Sequence, residues 1–197
     1  MKNQVPPAID LSTRIGSLLL KNPTILASGL LGLDVPTLVR VAKNGAGAVT
    51  MKSLTDKPRT GHNNPILVEY EGGLMNAVGY ANKGIEKGVE EFKKWQGIVP
   101  LIASVVGEDA SEFAYLSEKV QQAPVAAIEI VLSCPHTPGY GLLAGQGSPE
   151  TTQEITRAVR RTTKLPLIVK LSPSVSGIGD VARAAQSEGA DAINMGN

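Results

Sequence analysis

Six short runs of β-forming residues punctuate the chain: Pro23–Ser28, Ala48–Ser53, Pro100–Val106, Ala126–Ser133, Pro166–Leu171 and Ala190–Met195. Each is nearly continuous in apolar residues rather than alternating, the pattern of strands covered on both faces of a parallel sheet. Helical periodicity lies between them. Phe113, Leu116 and Val120 recur behind Asp109 and Glu112, which form a capping box. Ile155, Ala158 and Val159 follow Ser148-Pro149, a cap and a first-turn proline. Val181, Ala184 and Ala185 repeat the theme, and Gly189 stops that helix. Strand and helix in alternation predict an α/β fold with right-handed crossovers. The longest stretch with neither period, Leu54–Tyr80, is rich in Gly, Asn and Pro and reads as an irregular lid or binding loop.

Two architectures fit six such units: an open doubly wound sheet, or part of an eight-stranded barrel. Lys52, Cys134, Lys170 and Asn197 each fall at or just past the carboxyl end of a different run. Polar chemistry aimed at one rim from several strands is the barrel arrangement. A doubly wound sheet gathers its ligand contacts at one switch point, commonly behind G-x-G-x-x-G. The first turn here, Ala27-Ser28-Gly29-Leu30-Leu31-Gly32, lacks that spacing. The expectation is therefore a (β/α)8 TIM barrel truncated after the sixth strand, with residues 1–197 a single domain that makes up the amino-terminal two-thirds of a larger unit. A naturally short open sheet is the alternative.

Composition narrows the chemistry. Nineteen basic and eighteen acidic residues leave a net charge of +1 over 197 residues, with no basic stripe for a phosphate backbone, so nucleic acid is not an expected partner. With two Phe, four Tyr and one Trp, the core must be built of Val, Ile, Leu and Ala. The single cysteine, Cys134, excludes an internal disulfide and an all-thiolate metal site. Residues 1–10 do not read as a signal peptide, and no apolar run is long enough to span a bilayer. A cytoplasmic protein without a membrane partner is expected.

Cys134 sits where Pro135 ends a strand and a loop, Thr137–Gly147, with four glycines follows. A thiol so placed can serve as general acid or base under a closing loop; a buried small hydrophobe is the bland alternative. Lys52 and Lys170 follow apolar runs, so barrel-facing side chains would be buried and would need an anion, whereas a snorkelling stem needs none. His62 and His136 have no third ligand at a recognisable spacing, and no metal is expected. Lys57 and Arg59 read as loop solubility residues.

Three stretches carry a resemblance: Gly73-Leu74-Met75-Asn76-Ala77-Val78-Gly79-Tyr80-Ala81-Asn82, Leu132-Ser133-Cys134-Pro135 and Val169-Lys170-Leu171-Ser172-Pro173. Together with Leu20-Lys21-Asn22-Pro23 and Ala27-Ser28-Gly29 they resemble the class 1, soluble dihydroorotate dehydrogenases. The resemblance implies an FMN-containing (β/α)8 barrel that oxidises dihydroorotate to orotate in pyrimidine synthesis. By position it implies that Ala27, Ser28 and Gly29 line the flavin ring. Lys52 approaches both flavin and substrate, Ser53 and Ser104 contact the cofactor, and Lys170 offsets negative charge at the N1–C2 end of the flavin. It further implies that Asn76, Val78, Gly79, Tyr80, His136 and Asn197 hold the pyrimidine. Cys134 would take the C5 proton while the C6 hydride moves to the flavin.

Departures from the family pattern point to a neighbouring activity. Val131 and Ser104 stand where asparagines are usual, and His136 replaces a third. A valine offers a buried substrate group no hydrogen bond, at about 1–3 kcal/mol for each group left unpaired. The Ser133-Cys134-Pro135-His136 segment, with Gly145-Gln146 and Pro149-Glu150 beyond it, is also similar to the dihydropyrimidine dehydrogenase barrel, whose substrate is uncharged. A catalytically inactive piece with only a binding role is the third reading. Class 1 relatives imply a homodimer, or assembly with an FAD and iron–sulfur electron-transfer subunit.

Overall fold

The computed structural model describes residues 9–133, 148–173 and 176–196. All six expected strands form: β3 (Ile25–Leu26), β4 (Ala48–Thr50), β7 (Leu101–Val105), β8 (Ala127–Val131), β9 (Leu167–Leu171) and β10 (Ala192–Met195). They make one parallel sheet in the order β10-β9-β8-β7-β4-β3, so each core strand pairs with its neighbours in sequence. A doubly wound sheet reverses its strand order at a switch point. This sheet never reverses, and it curls as six consecutive strands of a (β/α)8 barrel.

Among the described residues, five α-helices cover the outer face: α1 (Val35–Lys43), α2 (Ile85–Phe92), α3 (Ala110–Val120), α4 (Pro149–Thr162) and α5 (Ile178–Ser187). The three expected from periodicity are α3, α4 and α5. Asp109 caps α3 by accepting from the Glu112 N–H at 2.8 Å, while the Glu112 carboxylate accepts from the Glu108 N–H at 2.6 Å. The reciprocal half of the box thus lands one residue upstream of the cap. Ser148 caps α4, with Pro149 in its first turn. Gly189, at φ +90°, follows the end of α5 in the left-handed conformation that suits glycine there.

Alternate residues of each strand enter different cores. Leu101, Ala103 and Val105 join Phe113, Leu116, Ile128, Ile130 and Val169 in the large cluster between sheet and helices. Ala48, Ile102, Ala127 and Ile168 form a smaller cluster inside the curl. The hairpin of β1 (Thr13–Ile15) and β2 (Leu18–Leu20) closes it from the amino-terminal end through the fully buried Leu20. That apolar floor leaves the carboxyl end for polar residues.

The expected irregular loop is instead a long hairpin. β5 (Leu67–Tyr70) pairs antiparallel with β6 (Gly73–Asn76) around a two-residue Glu71-Gly72 turn. The pairing continues to its base through Ala77 N to Ile66 O, His62 N to Val78 O and the reciprocal bonds of Arg59 and Asn82. Arg59 is thus an anchor of the hairpin base as well as a polar loop residue. Leu67, Val68, Leu74 and Met75 are exposed, which is why no burial alternation marked these strands. Among the described residues, no helix is long and apolar enough to cross a membrane.

The cap of α3 makes a pH-dependent contribution. Hydrogen bonds from Ser111 and from the Glu112 amide hold the Asp109 carboxyl below the usual aspartate range. Its stabilisation is fully present above the ordinary aspartate pKa and is lost as pH falls through the lowered value. Asp109→Ala is expected to cost about 1 kcal/mol, a Tm loss of about 2–4 °C near neutrality. Asp109→Asn, which caps without titrating, should lose less stability than wild type when thermal melts are repeated toward pH 3.

Candidate functional site at the carboxyl rim

Three charged side chains are buried among the described residues: Lys52 (8% exposed), Glu129 (3%) and Lys170 (6%). All three belong to the inward-facing set. Lys170 shares its face of β9 with Ile168, Glu129 shares its face of β8 with Ala127, and Lys52 lies two residues beyond β4. Both lysines lie at the carboxyl ends of their strands, as the barrel arrangement requires.

A row of polar side chains crosses the inside of the curl. Ser28 Oγ lies 2.8 Å from Ser53 Oγ and accepts the Ser53 N–H at 3.1 Å. Ser53 Oγ lies 3.0 Å from Ser104 Oγ. Ser104 donates to Glu129 Oε1 at 3.1 Å, and Asn194 Nδ2 donates to Glu129 Oε2 at 2.8 Å. Residues on or just after five of the six core strands are linked in this way. Asn194 was not a sequence candidate; its place in β10, two residues along the same face from Ala192, was the available signal.

Lys170 is different. Among the described residues its Nζ meets no carboxylate, other acceptor or ring. Glu129, on the next strand, is not within ion-pair distance. A buried ammonium in this position is costly until an anionic or acceptor group reaches it.

Two local devices place Lys52. The 3-10 turn Leu30–Gly32 presses against the end of β4, where the Lys52 N–H donates to Gly32 O at 2.8 Å. A Cβ on Gly32 would come within 2.6 Å of that same nitrogen, so only glycine permits the approach. On the other side, Lys52 Nζ stands 5.7 Å from the centre of the Tyr80 ring, a cation–π distance. Tyr80 is buried with Val106 and Val131 and has φ +56°, a conformation that a bulky residue adopts only when its surroundings hold it there.

Asn82 supplies that hold. Its Oδ1 accepts from Gly84 N at 2.8 Å and Thr55 N at 3.3 Å, and its Nδ2 donates to Tyr80 O at 2.6 Å and Thr55 Oγ1 at 3.0 Å. Of the other expected site residues, Val78, Gly79 and Gly29 are half-buried, whereas Ala27 and Asn76 are exposed, Asn76 at the end of β6. Cys134, His136 and Asn197 lie outside the described residues. His62 is exposed, and among the described residues no cluster of three His, Cys, Asp or Glu side chains is placed to hold a metal.

The family model for dihydroorotate dehydrogenase matches residues 10–197. The chain belongs to the dihydroorotate dehydrogenase family. Members of that family are flavoproteins. The catalytic subunit of dihydroorotate dehydrogenase B (NAD(+)) from Pyrococcus abyssi is 44% identical over 177 residues, covering 90% of this chain and 58% of that protein. Its counterpart from Methanocaldococcus jannaschii is 40% identical over 188 residues, covering 93% and 61%. The chain thus spans about three-fifths of the length of these curated relatives. Among solved structures, a crystal structure of DHODH in complex with ferulenol from Eimeria tenella superposes with a TM-score of 0.79 at 19% identity, over 93% of this chain and 58% of that one. At that identity the likeness establishes the fold.

The dependence on Asn82 is testable. Asn82→Ala leaves the Thr55 and Gly84 amides and the Tyr80 carbonyl without their partner, and stability should fall by at least about 2 kcal/mol. Asn82→Asp keeps the two amide bonds but turns a carboxylate oxygen toward the Tyr80 carbonyl. It should therefore also be less stable than wild type. Thermal melting gives the loss, and limited proteolysis should find new cleavage within residues 57–80 before global unfolding.

Proposed function

We propose that the full-length protein is an FMN-dependent dihydroorotate dehydrogenase that oxidises dihydroorotate to orotate in de novo pyrimidine synthesis. The observation that carries this reading is Lys170: a buried cation inside the barrel, at the rim end of β9, without an acceptor among the described residues. A ring that takes on negative charge fits it, and the Ser28–Ser53–Ser104 row gives such a ring a polar edge to lie against. Family membership and the names of the relatives support the same choice.

When bound, FMN supplies the two-electron acceptor. Lys170 offsets negative charge on the ring, and Ala27, Ser28, Gly29, Ser53 and Ser104 line it. Lys52, held by Gly32 and Tyr80, faces both ring and substrate. Asn76, Val78, Gly79 and Tyr80, with His136 and Asn197, hold the pyrimidine. Cys134 takes the proton from C5. On this reading residues 1–197 are one FMN-binding domain, the amino-terminal part of a barrel of about 300 residues. The catalytic chains form a homodimer and work with an FAD and iron–sulfur electron-transfer subunit in the cytoplasm.

A second reading rests on Val131. It packs with Tyr80 and Val106 at the inner rim, where an amide would serve a charged pyrimidine better, so an uncharged dihydropyrimidine is the competing substrate. Anaerobic mixing of the purified yellow protein with a substrate panel tests both. Flavin bleaching by dihydroorotate at stoichiometric levels supports the first reading. Bleaching only by dihydrouracil or dihydrothymine favours the second, and a colourless protein that takes up no FMN leaves only a binding role.

Two substitutions probe the assigned roles. Lys170→Ala should weaken FMN binding or slow flavin reduction by at least tenfold, because a fixed cation near developing charge stabilises it; equilibrium titration and stopped-flow absorbance read the two effects. Cys134→Ser should slow reduction by about 10²–10⁴-fold while FMN stays bound, since a serine hydroxyl, with its much higher pKa, accepts a proton poorly without help. A core cysteine would instead give a lowered Tm and normal reduction per folded molecule.

A further inference from the structure

The polar row inside the curl has a direction. Both oxygens of Glu129 accept, one from Ser104 Oγ at 3.1 Å and the other from Asn194 Nδ2 at 2.8 Å. A serine hydroxyl carries one proton and can donate once. Ser104 commits its proton to Glu129, so at the 3.0 Å contact with Ser53 the donor is Ser53. Ser53 is then committed to Ser104, so at the 2.8 Å contact with Ser28 the donor is Ser28. Ser28 Oγ also accepts the Ser53 N–H, and what remains on that oxygen is a lone pair. Ser53, Ser104 and Glu129 are buried, and Ser28 is half-buried at the rim. Every proton in the row therefore points inward to one carboxylate, and its open end is an acceptor.

We infer that Glu129 is a positioning residue that sets the direction of this row and so makes Ser28 an acceptor, selecting a bound ring that presents an N–H there. Glu129 acts at a distance of three hydroxyls and does not itself touch the ligand. The inference rests on the flavin reading: the flavin ring has an N3–H in both the oxidised and the fully reduced state, and gains an N5–H on reduction. Either meets an acceptor; the bare N5 of the oxidised ring does not. On the same logic, Asn194, whose amide nitrogen serves Glu129, keeps its Oδ1 as an acceptor.

Neutron diffraction from crystals of the full-length protein in deuterated solvent reads the direction itself. The expected result is a deuteron on each of Ser28, Ser53 and Ser104 Oγ lying along the contact toward Glu129, with none on Glu129 Oε1. A deuteron on Ser28 pointing away from Ser53, or one on Glu129 Oε1, overturns the inference. Selection is read in wild type, Ser28→Ala and Glu129→Gln, by the Kd for FMN, the Kd for FMN methylated at N3, and the two-electron midpoint potential of bound FMN. Glutamine offers one acceptor and one donor where glutamate offers two acceptors, so the row can run either way.

If the N–H is N3, wild type should prefer FMN over its N3-methyl analogue by about tenfold or more, and both variants should lose most of that preference. If it is N5, both variants should lower the midpoint potential by about 30 mV or more, the equivalent of tenfold for two electrons. Variants that bind FMN and match wild type in both arms overturn the inference while leaving the flavin reading intact. Failure of wild type to bind FMN overturns that reading and the inference with it. Should Glu129→Gln not fold, the wild-type neutron map and Ser28→Ala decide the matter.

Discussion

A charge inside a β-barrel must be matched. Among the described residues this chain buries two ammonium groups and one carboxylate within the same curl of sheet, and much of the site follows from how each is met. Glu129 is met from within, by a serine and an asparagine on other strands. Lys52 is steadied by the face of Tyr80. Lys170 has no acceptor among the described residues and is the position that a bound anionic group would complete. Replacing such groups with packed hydrophobes is commonly neutral or stabilising, so their presence is better explained by binding than by stability.

The apolar floor makes this arrangement affordable. Leu20, Ala48, Ile102, Ala127 and Ile168 fill the amino-terminal end of the curl, and the large core between sheet and helices supplies most of the apolar burial. Polar inward positions begin only above that floor. Dividing a barrel into a packed base and a reactive rim separates the residues that hold the fold from those that do chemistry.

The sheet was readable because all six strands are short and apolar, the four central ones buried throughout, and because the lysines at the ends of two of them share one rim. Helices α3, α4 and α5 announced themselves by caps and spacing. α1 and α2 did not. The first is rich in β-branched residues (Val35, Thr37, Val39, Val41), and the second carries Gly88 in its middle, where a Cβ would fall 2.4 Å from Leu54 Cδ1. The hairpin over 59–82 was hidden because its apolar residues face outward. The role of Asn82 in holding Tyr80, and the link from Asn194 to Glu129, depend on bonds between separate elements and leave no periodic trace. Ser28, Ser53 and Ser104 were nameable one by one from resemblance; that they form one row is a property of the fold.

Lys170 is proposed to meet the cofactor. A crystal structure of the full-length protein with FMN tests it most directly. The expected result is the flavin ring at the carboxyl rim, with Lys170 Nζ in hydrogen-bond contact with an acceptor on the ring and Ser28 at the ring's edge. A ring seated elsewhere, or Lys170 turned to pair with Glu129 while FMN is bound, would contradict it.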